Sequence, residues 1–327
     1  MHRIHFTAED LVRIRVAPTL GPLAETLFSL AALRGRTEKA MFGGWRSRVR
    51  GGLDARSAVL GAINPARPPC LDLVNLVRQA GDLAEGAESF LASTRHAVRA
   101  ELDFYAGHHR RVPGPLTGLV DSLTARREVL STVEAYHHTA LGPYWRNIRA
   151  HLDAERAQRG TILLDRGVDG LLSGLHPGIR WSPPTLHLHA GDRLATDFTL
   201  DGRGLLLVPS FFMRVPAVIY DPGDPADCML IYPAALGVDH AAGIWTDGPS
   251  PRALANLLGR TRASVLTAIA DGMTTTGALA RRLDISSAAI SQHTAVLREA
   301  GLITTRRHHN SVLHHLTQTG LTLLGSS

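Results

Sequence analysis

The sequence predicts a mostly α fold with a small β region: a helical N-terminal domain, a run of short antiparallel strands, and a C-terminal unit of short helices closed by a hairpin. Through about residues 1–175, apolar residues recur at three- and four-residue spacing, the stripe of amphipathic helices. Residues 176–246 change to short β-rich runs split by turn residues. Residues 252–327 return to helical spacing in shorter pieces and concentrate the positive charge of the chain.

In the first zone Leu20, Leu23, Leu27 and Leu30 mark one helix. Phe90, Leu91, Val98, Leu102 and Tyr105 predict a second over 89–105, and 119–136 and 148–172 are two more. Asn64-Pro65, Pro68-Pro69, Pro113-Gly114-Pro115 and Gly142-Pro143 punctuate the gaps. In the second zone the runs 185–189, 195–200, 204–212, 217–220 and 229–232 read as strands of a small antiparallel sheet or pair of hairpins. Gly191-Asp192, Asp201-Gly202 and Asp221-Pro222-Gly223-Asp224-Pro225 supply the turns, and 246–251 reads as a linker. The domains expected are 1–175 (dimerisation and effector), 176–246 (antiparallel β) and 252–327.

Length and composition narrow the function classes. A chain of 327 residues that is 44% hydrophobic and 20% charged buries a real core and is neither disordered nor collagen-like. Cys70 and Cys228 are 158 positions apart with no CxC or CxxC, which argues against a thiolate metal site or a disulfide framework. The first ten residues contain no apolar signal segment, and the runs around 205–208 and 229–236 are far too short to span a bilayer. A cytoplasmic protein with no membrane partner is expected.

The last 76 residues are the informative ones. Eight arginines (252, 260, 262, 281, 282, 298, 306 and 307) stand against Asp271, Asp284 and Glu299, a net +5 of the total +6. Such a charge partition invites a polyanion. Leu254, Leu257, Leu258, Val265, Leu266 and Ile269 predict a helix over 254–270. Thr274, Thr275 and Thr276 offer an N-cap to a short helix with Leu279, Ala280 and Leu283 inside. After the Asp284-Ile285 turn, Ser286 caps a third helix with Ile290, Val296 and Leu297 inside, ended by Ala300-Gly301. Two β-rich segments around His308-His309-Asn310 make a hairpin, and 317–324 a last short helix. Helix, short helix, tight turn, helix and hairpin make a winged helix-turn-helix. The third helix presents Ser286, Ser287, Ala288, Ser291, Gln292 and His293 to a major groove, and Arg306, Arg307, His309 and Asn310 form a wing that meets the backbone.

The strings Leu257-Leu258-Gly259-Arg260-Thr261-Arg262, Leu279-Ala280-Arg281-Arg282-Leu283, 285–293 and 296–303 resemble the ArsR/SmtB family of bacterial repressors over about residues 254–316. The resemblance implies a homodimeric regulator, acting as a repressor on double-stranded operator DNA. The opening from Ile4 through Trp45 resembles longer members of that kind, for which no N-terminal activity carries over. Metal-sensing members carry Cys-x-Cys where this chain has Thr275 and Gly277, and His309 stands where a wing glycine is usual. With thiolates missing and apolar helices able to enclose a pocket, a small-molecule effector is expected rather than a metal, and no cofactor.

No G-x-S-x-G, Ser-x-x-Lys or Cys–His pairing marks a nucleophile, so no enzyme is expected. Gly202-Arg203-Gly204 reads as a turn rather than a phosphate loop. His187 and His189 share one strand face near Asp192, and His308-His309 and His314-His315 are further imidazole pairs. Alternation puts His314 and His315 on opposite faces, and 108–109 and 137–138 read as exposed helix ends. The alternative reading is an enzyme or metalloprotein N-terminal domain with an autoregulatory DNA-binding domain, for which His187, His189 and Asp192 are the candidates.

Overall fold

A computed structural model describes residues 2–35, 38–52, 57–65, 70–77, 79–109, 111–189, 197–220, 228–234, 243–245, 251–270, 275–308 and 311–324. The chain forms two compact units, Met1–Trp245 and Thr246–Ser327. As expected, the chain is mostly helical with small sheets of short strands.

The first unit runs β1 (His2–His5), α1 (Ala8–Val12), β2 (Arg15–Val16), then helices α2 (Pro22–Arg34), α3 (Lys39–Gly52), α4 (Ser57–Ile63), α5 (Val74–Val77), α6 (Leu83–Ala92), α7 (Arg95–His108), α8 (Leu123–Ala140) and α9 (Trp145–Ser173). Strands β3 (Ile179–Ser182), β4 (Thr185–Leu188), β5 (Asp197–Thr199), β6 (Leu206–Ser210), β7 (Ala217–Tyr220) and β8 (Cys228–Pro233) follow. The single helix expected over 89–105 is two, α6 and α7. Thr94 adopts extended backbone and its hydroxyl accepts the Ala97 N–H at 3.1 Å, a new N-cap that stops one helix and starts the next. Helix α9 is interrupted at Gly167 (φ +64°).

The strands do not form the antiparallel set expected. One sheet has the order β3-β4-β1-β5 and the other β2-β6-β8-β7. Antiparallel pairing holds for β3/β4, β1/β4 and β7/β8, but β1/β5, β2/β6 and β6/β8 are parallel. For β6/β8 the reason is burial on both faces. Leu207 and Leu230 pack with Ile4, Leu172 and Leu186, whereas Val208 and Ile231 pack with Ala17, Leu20 and Ala24 of the opposite layer. Two-sided burial gives continuous apolar runs instead of alternation, and it is the setting in which parallel pairs occur. The N-terminal strands β1 and β2 had no sequence signal of their own; each is completed by partners about 180 residues later.

The helical core gathers Leu23, Leu30, Val98, Tyr105, Val133 and Ile148. An aromatic group of Phe42, Trp45, Phe211, Phe212 and Trp245 closes one end of it, with ring centroids 4.9–6.3 Å apart. Glu25 of α2 is fully buried beside this group and accepts the backbone N–H of Phe211 (3.1 Å) and Phe212 (3.2 Å). His137, expected at an exposed helix end, is buried against Thr26 Oγ1 at 2.7 Å. Burial first, and then neighbouring His138, pushes its pKa down to about 4.

The second unit comprises α10 (Pro251–Leu258), α11 (Arg260–Ala270), α12 (Thr276–Leu283), α13 (Ser287–Glu299), the hairpin β9 (Ile303–His308) and β10 (Ser311–Leu316), and α14 (Gln318–Leu324). The helix expected over 254–270 is broken at Gly259, whose φ of +85° is a left-handed value that side chains resist. Arg262 Nε donates to the Leu258 carbonyl across the break, so this arginine is engaged in closing it. Leu257, expected inside, is 69% exposed.

Candidate nucleic-acid interface

The site is built on α12, α13 and the hairpin. Thr275 caps α12, its hydroxyl accepting from Ala278 N at 3.2 Å. The helix stops at Asp284, which adopts left-handed backbone (φ +54°, ψ +46°) while its N–H donates to the Ala280 carbonyl. Ile285 N also donates to Ala280 O, at 3.2 Å, and this closes the turn. Ser286 then caps α13 by accepting from Ala289 N at 3.1 Å. Because Asp tolerates the left-handed region better than a branched residue, Asp284→Val is expected to cost roughly 1–2 kcal/mol, whereas Asp284→Gly should be neutral or stabilising. Denaturant midpoints of the two variants check this; equal midpoints would remove the strain argument.

Helix α13 seats Ile290, Thr294 and Leu297 in the core with Val265, Leu266 and Leu279. Val296, expected inside, is 44% exposed: six residues from Ile290 it lies about 240° around the helix, whereas Thr294 and Leu297 fall on the inner stripe. Thr294 is accommodated there because its hydroxyl donates to the Ile290 carbonyl at 2.9 Å. The opposite face presents Ser286, Ser287, Ala288, Ser291 and Gln292, all exposed, with His293 half-buried at its edge. Ser286 Oγ is held by its capping bond and Ser291 Oγ donates back to the Ser287 carbonyl at 2.9 Å, which leaves Gln292 as the longest polar side chain on that face.

The hairpin register pairs His308 with Ser311 and Ile303 with Leu316. Arg306 is exposed on β9, and Arg307 lies in the same strand opposite Val312. His309 and Asn310, the tip residues expected to reach DNA, lie outside the described residues. His314 is buried and His315 exposed, in keeping with strand alternation. Sequence reasoning had no use for His314, but the structure gives it one. Its Nε2 meets Thr276 Oγ1 and its Nδ1 meets Thr305 Oγ1, both at 3.1 Å, so one imidazole ties the start of α12 to both strands of the wing. A backbone bridge between Thr275 and Leu313 reinforces the joint. Burial, then Arg298 and His315, keeps its pKa below the ordinary histidine value, so the ring is neutral and can bond both hydroxyls. Arg281, Arg282 and Arg298 are also exposed, at the ends of α12 and α13 that flank the recognition face.

Elsewhere, His187 is half-buried on β4 and His189 exposed just beyond it, while Asp192 lies outside the described residues. Among the described residues no three His, Cys, Asp or Glu side chains converge as a metal set. On the outward face of the first sheet, His5 bonds Thr185 Oγ1 at 3.1 Å and Asp197, and Arg3 reaches Asp197 at 3.1 Å; these bonds stitch β4, β1 and β5 together. The His5 hydrogen bond, foremost, holds the Asp197 carboxyl below the usual range.

A short helix, a two-residue turn, a second helix with an exposed polar face and a basic hairpin define a DNA-binding unit of the helix-turn-helix class. Residues 257–306 match the family described as a helix-turn-helix domain. No curated protein and no solved structure matches the chain. No described helix is long and apolar enough to cross a membrane.

Proposed function

We propose that the protein is a sequence-specific transcriptional regulator of the ArsR/SmtB kind, a homodimer that represses by occupying operator DNA through α13 and the wing and that responds to a small-molecule effector bound by residues 1–245. We read it as a regulator rather than an enzyme, and Thr275 and Gly277, standing where metal sensors of that kind carry thiolates, argue against thiolate metal sensing at that site. The observation that carries the reading is the division of α13 into a core stripe and an outward face of short polar residues ending in Gln292, with four exposed arginines around it. A dimer places two such helices on successive major grooves, and a ligand controls it through differential affinity for the DNA-competent form.

The test is selection of genomic fragments with the full chain, followed by competition over single-base variants of the recovered site. Gln292 carries an amide able to pair with adenine N6 and N7. Gln292→Ala is therefore expected to cost about 1–3 kcal/mol at the cognate site and to relax preference at one base pair per half-site. Arg306→Ala should weaken all sequences alike and lower the salt slope by about one. No enrichment of discrete sites over bulk DNA would overturn the reading, and an exchange of the two variants' effects would overturn the assignment of roles.

A further inference from the structure

Apolar helices were expected to enclose the effector, and the voids found among the described residues differ widely in size. The void among Leu23, Leu27, Val77, Phe90 and Val133 is about 10 Å³, room for a water at most. A cleft of about 670 Å³ lies instead where the start of α3, the end of α9, β3, β8 and the segment after β6 meet. That volume is in the range of small-molecule sites.

The chemistry of the lining is mixed. Met41, Leu175, Ile179 and Pro233 supply apolar surface, and Arg159, Arg214, Glu38 and His176 supply charge and hydrogen bonds. Arg159 is committed to the fold: it donates to Glu155 at 2.6 Å and to the carbonyls of Gly174 (2.6 Å) and Leu175 (3.3 Å). Arg214 is held differently. Its Nη1 donates to Glu38 Oε1 at 3.1 Å and its Nη2 to the Phe211 carbonyl at 2.7 Å, while its buried Nε has no acceptor among the described residues. Both members of the Arg214–Glu38 pair are about one-third exposed, so a solute in the cleft can compete for the guanidinium. His176 Nδ1 accepts the Gly178 N–H at 2.9 Å, which leaves the proton of the neutral ring on Nε2 as a further donor.

We propose that this cleft is the effector site and takes a small organic acid, whose carboxylate replaces Glu38 on the Arg214 guanidinium while its apolar body lies on Met41, Leu175 and Ile179. The proposal rests on the effector-controlled reading above and names its ligand class. A guanidinium is the side chain best matched to a planar carboxylate. The site also has an outlet. The Glu38 carbonyl accepts from Met41 N and Phe42 N at the head of α3, and the Met41 carbonyl accepts from Trp245 Nε1 at 2.5 Å. Trp245 is the last residue of the first unit, where the chain leaves for the DNA-binding unit. Displacing Glu38 therefore acts on the turn that holds Trp245.

The experiment is calorimetric titration of the full chain with butanoate, hexanoate and benzoate, each against its uncharged amide. At least one acid should bind saturably and its amide should not. Arg214→Gln should weaken the acid by at least about 10-fold, the worth of a charge-assisted hydrogen bond, and Glu38→Gln should tighten it because the competing carboxylate is gone. Opposite signs from two variants that break the same ion pair cannot come from misfolding. Equal binding of acid and amide, equal signs from the two variants, or no acid binding tighter than about 10 mM overturns the site. In the same samples, saturating acid should shift operator affinity by at least about 5-fold. An operator complex indifferent to bound acid overturns the effector role, whereas failure of the unliganded chain to select any DNA site overturns the regulator reading itself.

Discussion

Operator affinity of the full chain is expected to fall by roughly 10³–10⁴ between about 50 and 200 mM monovalent salt. The cause is where the arginines lie. Residues 252–327 carry +5 of the chain's +6, and Arg281, Arg282, Arg298 and Arg306 are exposed around the recognition face. None of these four is placed in an ion pair among the described residues, so each keeps its charge for phosphate. In the proposed homodimer, two copies of the unit would neutralise about six to eight phosphates, each releasing close to one counterion, so log affinity falls against log salt with a slope near −6. Anisotropy titrations on one labelled duplex at four salt concentrations measure it. A slope shallower than about −2 would mean that these arginines do not face DNA.

Relative to Glu25→Gln, stability of the first unit is expected to fall as pH rises from about 5 to 8, by roughly 3 kcal/mol, through Glu25. Its carboxyl is wholly buried, and desolvation pushes its pKa from 4.5 up to about 7 against the lowering effect of Ser210, Phe212, Phe211 and Arg214. A folded-state pKa above the unfolded one means that the native chain keeps a proton the unfolded chain has already lost. The stability carried by that proton is complete below the unfolded pKa and is lost as pH rises through the folded pKa. The window is therefore about 4.5 to 7, and the carboxyl is left charged and desolvated above it. Denaturant unfolding at both ends of the window, followed by tryptophan emission, reads the effect, since all four tryptophans lie in the first unit. Glu25→Gln holds the group neutral at every pH, so its profile keeps the opposing rise from His137, whose lowered pKa adds stability as pH increases, and the difference between the two profiles isolates Glu25. Parallel profiles for the two proteins would assign the dependence to other groups.

Much of the second unit was legible residue by residue. Ser286 reads as an N-cap and is one; Ala300-Gly301 ends α13, with Gly301 at φ +69°; the strands around 303–308 and 311–316 pair as a hairpin. These features are local: a hydroxyl three residues from the N–H it accepts, a backbone angle that a side chain resists, a short turn. Where the reading slipped, a local rule was outweighed by facing or by a break. Val296 is apolar but off the inner stripe, and Gly259 divides a periodicity that otherwise continues through it.

The first unit shows the limit. The apolar runs at 205–208 and 229–236 were visible, yet alternation was assumed where two-sided burial rules, and parallel pairing followed. Nothing near His2–His5 announces a strand, because its partners are Thr185–Leu188 and Asp197–Thr199. The cleft is the extreme case: Glu38, Arg159, His176 and Arg214 are ordinary charged residues scattered over 176 positions until the chain folds. Caps, turns and helical spacing act within a few residues, so the helix-turn-helix, its polar face and the placement of charge are written in the order of residues. The parallel sheets, the His314 joint, the buried Glu25 and the cleft each depend on groups brought together by long-range burial, which leaves no pattern in that order.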